Sequence, residues 1–494
     1  MTATAPIRRP PAPASDRRRL RFERLLIDGD WADDVRVGIT ASGEIDAIEP
    51  ESADTSVQQV RGRTVPGAVN LHSHAFQRAL AGTAESAGPE FWGWRRAMYR
   101  LADRLTPELA GAVALQLYLE LLKSGFTCVG EFHYLHHQSG GEPYEDPAEM
   151  SGRVVDAAEA AGIGLVHMPA VYETGGFDDE PLAGAQLRFR LGLEEAMEIA
   201  ASLPRGPNLS TGLALHSLRA VHPSTLTALE QLHAPDAASG AGTFPVHIHV
   251  AEPEREVEEC LAKRGARPVE WLLANAPVDG GWCLIHATHL SPAEAAETAG
   301  REAVVGLCPT TEANLGDGVF PLTLFSRLGG RFGIGTDSHV SRSPAEELRT
   351  LEYGRRLTTK SRTWAGSPPV RGSRRGDRSD GSAGERDAFR SALAGPGGRL
   401  LHHAWKDGCR ALGWNGGEVA VGRRADLVVL DAGHPVLVER DGSAVLDSWI
   451  FSGPENPVRH VMVGGEWVVK DGRHALDEEA CLAYARAVKT LSES

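Results

Sequence analysis

Between residues 65 and 335 the chain alternates short apolar runs of β type with longer stretches of helical periodicity, and this alternation restricts the possible folds most strongly. Candidate strands fall at 65–71, 127–132, 164–170, 209–215, 244–250, 282–286, 303–307 and 331–335, with helical patterns such as 110–124 and 153–161 between them. Strands alternating with helices build a parallel sheet, and a strand count near eight favours a closed barrel over an open doubly wound sheet. No G-x-G-x-x-G follows the first strand, which argues against a dinucleotide-binding fold. The expected fold class is α/β: a (β/α)8 TIM-like barrel, with a small β-sandwich domain built from both chain ends.

The ends carry a different pattern. Residues 25–28 and 35–39 are short β-type runs punctuated by Asp and Gly, and 422–430 and 458–469 repeat that character after the barrel. The expected division is a flexible tail at 1–20, a composite β domain from 21–66 and 418–494, and a barrel over 67–417. The barrel is interrupted at about 361–386 by a polar, Gly- and Ser-rich insertion of mixed charge, read as a mobile surface loop. Its arginines are interleaved with Asp and Glu and lack aromatic neighbours, so it is not read as a nucleic-acid patch.

Composition narrows the function classes. With 494 residues, 42% of them hydrophobic, the chain is long enough for a large core. A net charge of −15 opposes broad attraction to nucleic acid or an anionic membrane, so a small ligand is expected, and an anionic one would need a locally basic pocket. Cys128, Cys260, Cys283, Cys308, Cys409 and Cys481 form no CxxC pair, which suggests reduced thiols and a cytoplasmic setting. The first twenty residues have no apolar h-region, and no apolar run of about 18 residues occurs, so neither secretion nor membrane spanning is expected.

Four strand ends carry ligand-type residues. Asn70-Leu71-His72-Ser73-His74 ends an apolar strand, and alternate strand residues project to one side, so His72 and His74 can face one metal ion. Val246-His247-Ile248-His249 ends a second and delivers Glu252 three residues after His249, where a carboxylate can take a proton from an activated water. Glu252 also suits the first turn of a helix, with Pro253 at its first position; both readings can hold at once. His286 closes a third strand and Asp337 a fourth, although an Asp after a strand also serves as a turn or cap. In a barrel, four such strand ends converge on the C-terminal face, where active sites lie.

The order H-x-H, H-x-x-E, strand-end His and strand-end Asp resembles the deaminase-like branch of the amidohydrolase superfamily. The segments NLHSHAFQRALAG from Asn70, FWGWRRAMYR from Phe91, EFHYLHH from Glu131, HSLRAV from His216, TEANLGDGVFP from Thr311, GIGTDSHVS from Gly333 and ADLVVLD from Ala425 are similar to the formimidoylglutamate deiminases over nearly the whole chain. The polar insertion after Lys360 departs from that pattern. The resemblance implies that His72, His74, His249 and Asp337 bind one zinc ion, that Glu252 and His286 handle protons, and that Gln77, Arg95, Tyr134, His216 and Arg219 bind substrate. Bridged binuclear members of the superfamily use a carboxylated lysine from a middle strand, and none of the six lysines here sits at such a strand end, so one metal ion is expected.

The implied substrate is N-formimino-L-glutamate, a small dicarboxylate amidine, and Arg95 and Arg219 offer planar forks suited to its carboxylates. A homodimer is implied as well. His247 is read as hydrogen-bonding support; His133 could serve a second metal but is read as a satisfied hydrogen-bonding group near the pocket, and His289 and His339 are unassigned. The alternatives are a deaminase of the same fold acting on a purine, pterin or s-triazine ring, and a catalytically silent barrel that binds or assembles.

Overall fold

The computed structural model describes residues 18–50, 57–83, 85, 91–233, 244–362 and 392–493. Most of the expected tail and of the polar insertion lies outside the described residues. The chain begins with β1 (Arg18–Ile27), β2 (Asp30–Ile39), β3 (Ile45–Pro50) and β4 (Gln58–Pro66), and then enters the barrel through β5 (Ala68–Ser73). The barrel continues with β6 (Phe126–His133), β7 (Gly164–Val171), β8 (Leu209–Thr211), β9 (Leu213–Ser217), β10 (Val246–Val250), β11 (Trp282–His286), β12 (Val304–Leu307) and β13 (Arg331–Ile334). Beyond it come β14 (Leu427–Leu430), β15 (Val458–Val463), β16 (Glu466–Lys470) and β17 (Arg473–His474).

The ring runs β5-β6-β7-β9-β10-β11-β12-β13 in parallel pairs, and Ile334 opposite Asn70 closes it. This is the (β/α)8 barrel expected from the alternation. Strands β5, β6, β7, β10, β11 and β12 are buried at every position, as parallel strands covered on both faces must be, which is why they read as continuous apolar runs. Each fully buried Leu or Phe among them contributes about 1.5–3 kcal/mol.

Three boundaries differ from the sequence reading. Arg18–Leu20, placed in the tail, pair with Val37–Ile39 of β2 and bury Leu20, so they belong to the sheet. The run at 65–71 is two strands: Val65 and Pro66 pair with Val428 and Leu427, and only from Ala68 does the chain enter the barrel. The turn between them is Gly67, where a Cβ would lie 2.2 Å from the Thr127 side chain. The run at 209–215 is also divided, because Gly212 donates its N–H to the His167 carbonyl and shifts the chain from pairing at Leu165–His167 to pairing at Ala170 and Val171.

Both chain ends meet in one eight-stranded sheet, in the order β17-β16-β15-β14-β4-β1-β2-β3. Phe22, Leu25, Val37, Ile39, Leu427, Val429 and Met462 form its own core. The chain then leaves this sheet in the helix Asp477–Ser492, which is tied to the barrel helix Pro107–Ser124 by Lys123 Nζ and Asp477 Oδ1 at 2.6 Å. No helix among the described residues is long and apolar enough to cross a membrane.

Candidate active site

At the C-terminal mouth of the barrel, β5, β10 and β13 bring His72, His74, His249 and Asp337 together, all of them buried. His249 Nε2 stands 3.0 Å from His72 Nε2 and 3.3 Å from His74 Nε2. Asp337 Oδ1 stands 3.4 and 3.3 Å from the same two nitrogens. Tetrahedral ligands at 2.0–2.1 Å from a common centre stand about 3.3–3.4 Å apart, so the set has the spacing of a single metal ion.

The tautomers agree. His74 Nδ1–H donates to the Phe132 carbonyl at 2.8 Å and His249 Nδ1–H to the His216 carbonyl at 2.7 Å, which leaves both Nε2 lone pairs facing the centre. Lone pairs held this close repel one another unless a cation lies between them. Burial, followed by the neighbouring imidazoles, holds His72 and His249 well below the ordinary histidine value; burial also lowers His74, against the pull of Asp337. Neutral rings are the form that binds metal. Phe132 supplies an apolar wall, its ring 4.3 Å from that of His249.

Backbone strain concentrates here. Ala251, His286 and Asp337, each just past or at a strand end, hold φ of +52°, +67° and +46°. Such conformations cost on the order of 1–3 kcal/mol each and persist where surrounding structure imposes them, as at active sites. Gly335 makes the Asp337 turn possible, since a Cβ there would lie 2.7 Å from His72 Cβ.

Beside the metal-type cluster stands an acid–base group. His286 Nε2 is 3.5 Å from Glu252 Oε1 and 4.0 Å from Asp337 Oδ2, while its Nδ1 is 3.3 Å from Glu312 Oε1. Burial opposes charge on His286, but Glu252, Glu312 and Asp337 outweigh it and push its pKa up to about 10. Burial raises Glu252 above the usual carboxylate range, with the His286 cation acting against that rise. Glu252 does not open the following helix: Pro253 is the N-cap of Glu254–Arg264, and Ala251 in the left-handed region turns Glu252 toward the mouth instead.

One cavity is lined by His74, Gln77, Arg95, Tyr134, His216, Arg219, His249, Glu252, His286 and Asp337; His72 does not reach its wall and stands behind His249. Gln77 donates to Tyr134 Oη at 2.6 Å, and its buried Oε1 has no partner among the described residues. Arg95 donates to Tyr99 Oη at 2.7 Å and lies over that ring. For Arg219 no hydrogen-bond partner of the guanidinium is found among the described residues; burial opposes its charge, but Glu256, Tyr172 and Glu252 hold it.

The pattern of the amidohydrolase family matches residues 64–369 and 399–468. The chain belongs to the amidohydrolase family. This amidohydrolase is 46% identical over 478 residues to a formimidoylglutamate deiminase of Pseudomonas aeruginosa, a match covering 95% of the chain and 98% of that protein. It is 27% identical over 454 residues to a 5-methylthioadenosine/S-adenosylhomocysteine deaminase of Natronomonas pharaonis, covering 92% and 89%. The crystal structure of an amidohydrolase from Brucella melitensis superposes with a TM-score of 0.82 at 40% identity, covering 96% of this chain and 99% of that one.

Several residues of the amidohydrolase site escaped sequence reasoning. Glu312, the Nδ1 partner of His286, sits in the helix Pro309–Leu315, and its carboxylate also receives the Cys308 N–H. Tyr99 backs Arg95 from one turn along the same helix, an i, i+4 spacing that offered a signal. His247 lies a layer below His249 and bonds the Ala411 carbonyl at 2.8 Å, so it supports the floor of the barrel and not a metal-type ligand. His133 Nε2 is buried without a partner among the described residues.

Proposed function

We propose that this enzyme hydrolyses N-formimino-L-glutamate to N-formyl-L-glutamate and ammonia at a single zinc site formed by His72, His74, His249 and Asp337. The observation that carries the reading is the Arg219 guanidinium, which has no hydrogen-bond partner among the described residues, in one cavity with Arg95 and the acid–base group of Glu252 and His286. A substrate with carboxylates at one end and an amidine at the other matches that polarity. The similarity to the Pseudomonas aeruginosa formimidoylglutamate deiminase supports it.

Three imidazole nitrogens and one carboxylate oxygen suit zinc. When bound, such an ion supplies Lewis acidity that lets a water molecule lose a proton near neutral pH. Glu252 takes that proton as the water oxygen attacks the formimino carbon, and returns it to the departing nitrogen. His286, held cationic between Glu252 and Glu312, steadies negative charge developing at the tetrahedral carbon. Arg219 and Arg95 hold the carboxylates, and Gln77 and Tyr134 offer polar atoms along the wall. A cytoplasmic homodimer completes the proposal, in keeping with six free cysteines of which five are buried.

A ring deaminase is the second reading, favoured by the rings of Tyr99, Tyr134, Tyr172 and Phe189 in the same cavity and by the nucleoside-type relative. Ammonia release by the zinc-loaded protein, with formiminoglutamate, adenosine and guanine as parallel substrates and the product identified, separates the two. Release from formiminoglutamate alone supports the proposal, and activity confined to a ring substrate overturns it.

Arg219→Met is expected to lower kcat/KM for formiminoglutamate by about 100-fold, mainly through KM, because a buried charge pair is worth about 2–5 kcal/mol. Some loss of stability is expected as well, since the buried Glu256 and Glu252 carboxyls lose the cation that faces them. Steady-state kinetics and thermal melting check both parts; an unchanged KM removes Arg219 from substrate binding.

A further inference from the structure

On the far side of β5 from the cavity runs a fully buried polar chain that the proposed chemistry does not use. Its centre is Glu131, a fully buried carboxylic acid on β6. The Glu131 carboxylate receives the Ser73 O–H at 2.6 Å, the Ala75 N–H at 2.6 Å and the Tyr118 O–H at 3.2 Å. Ser73 is the residue between His72 and His74, and Ala75 follows His74. One carboxylate thus grips both flanks of His74.

The chain continues to the fourth ligand. Ser73 Oγ is 3.4 Å from His339 Nε2, and His339 Nδ1 is 2.8 Å from Thr336 Oγ1. Thr336 is joined to Asn70 by two bonds, Asn70 Nδ2 to Thr336 Oγ1 at 2.7 Å and the Thr336 N–H to Asn70 Oδ1 at 3.0 Å. One assignment of hydrogens satisfies every link: Asn70 donates to Thr336, Thr336 to His339, His339 to Ser73, and Ser73 to Glu131. All donors run one way and end on the Glu131 carboxyl group, the arrangement in which such bonds reinforce one another. Asn70 and Ser73 lie on β5 with His72, and Thr336 precedes Asp337, so the network clamps together the two strand ends that carry three of the four metal-type ligands. The backbone adds one more tie, from the His74 N–H to the Asp337 carbonyl at 3.2 Å.

We propose that Glu131 is a positioning residue for the metal centre, holding the His72-Ser73-His74 segment and, through His339 and Thr336, the Asp337 turn in the geometry that binds the ion. Glu131 touches none of the ligands and acts through Ser73 and Ala75. Gln at this position keeps the shape but replaces one accepting oxygen with a donor, so it leaves Ser73 or Ala75 facing an N–H. The inference rests on the metal centre proposed above and is independent of the substrate.

The test compares the metal-loaded wild type with Glu131→Gln and Ser73→Ala by chelator competition, and compares their cobalt-substituted forms by visible absorption. Groups that orient metal ligands typically change affinity by about 10- to 100-fold, and that loss is expected for Glu131→Gln, with altered cobalt bands and metal-free melting close to wild type. Ser73→Ala should move both readouts in the same direction by less. Metal affinity within twofold of wild type, or unchanged cobalt bands, overturns the inference. Should Glu131→Gln fail to fold, Ser73→Ala and Tyr118→Phe carry the same comparison and decide it. A wild type that holds no divalent ion instead overturns the metal centre itself, an outcome visible before any variant is measured.

Discussion

Glu252→Gln is expected to lower kcat by at least about 1,000-fold while the protein retains the metal content of the wild type. Positioned proton transfer is worth about 10²- to 10⁴-fold, and the proposed role uses Glu252 twice, to accept a proton from water and to deliver it to the leaving nitrogen. Gln has the same size and removes only the ability to exchange that proton. The four clustered ligand-type atoms do not include Glu252, so metal binding is expected to be preserved. Loss of the carboxylate also removes one of the charges that hold His286 protonated, which compounds the effect on the developing transition-state charge. Ammonia release and zinc content measured on the same preparation check the result. Turnover within tenfold of wild type takes Glu252 out of the proton path.

Asp337→Asn removes the only anionic ligand of the cluster and is expected to weaken metal binding by at least about 100-fold, the upper range for changes that act on ligands only indirectly. Activity at stoichiometric zinc should disappear with it. Asn is the informative replacement because Asp337 holds φ at +46°, a region that Asn enters more easily than most side chains, so the turn and its carbonyl bond to the His74 N–H survive. The loss then reports on charge and not on a collapsed loop. Metal content after dialysis against a chelator, read beside thermal melting of the metal-free protein, separates the two. Retention of zinc at the wild-type level excludes Asp337 as a ligand.

The barrel was legible because parallel strands buried on both faces must be apolar throughout, and the helices between them must show the longer period. The β11 segment, Trp282–His286, is read at its true ends for this reason. One boundary failed where a single apolar run supplies strands to two sheets. Val65 and Pro66 are as apolar as Ala68 and Val69, and nothing local says that the first two pair with β14 and the next two with β6. The ligand-type residues were also legible, since barrel topology sends every strand end to one face. Their separations were not, because distances of 3.0–3.4 Å among His72, His74, His249 and Asp337 depend on register between strands far apart in the chain.

The sequence by itself determined the α/β alternation, the strand-end histidines and aspartate, and the carboxylate three residues past His249. These are properties of residue type and spacing, which local periodicity preserves. The tertiary structure alone decided that Glu312 stands behind His286 and that Glu131 grips the segment between two histidines. Each of those is a buried polar partnership, and a buried donor or acceptor must find its partner wherever the fold places one. Glu131 and Ser73 are 58 residues apart, and Ser73 and His339 are 266 apart. No local pattern records such pairs, because they exist only once the barrel has closed.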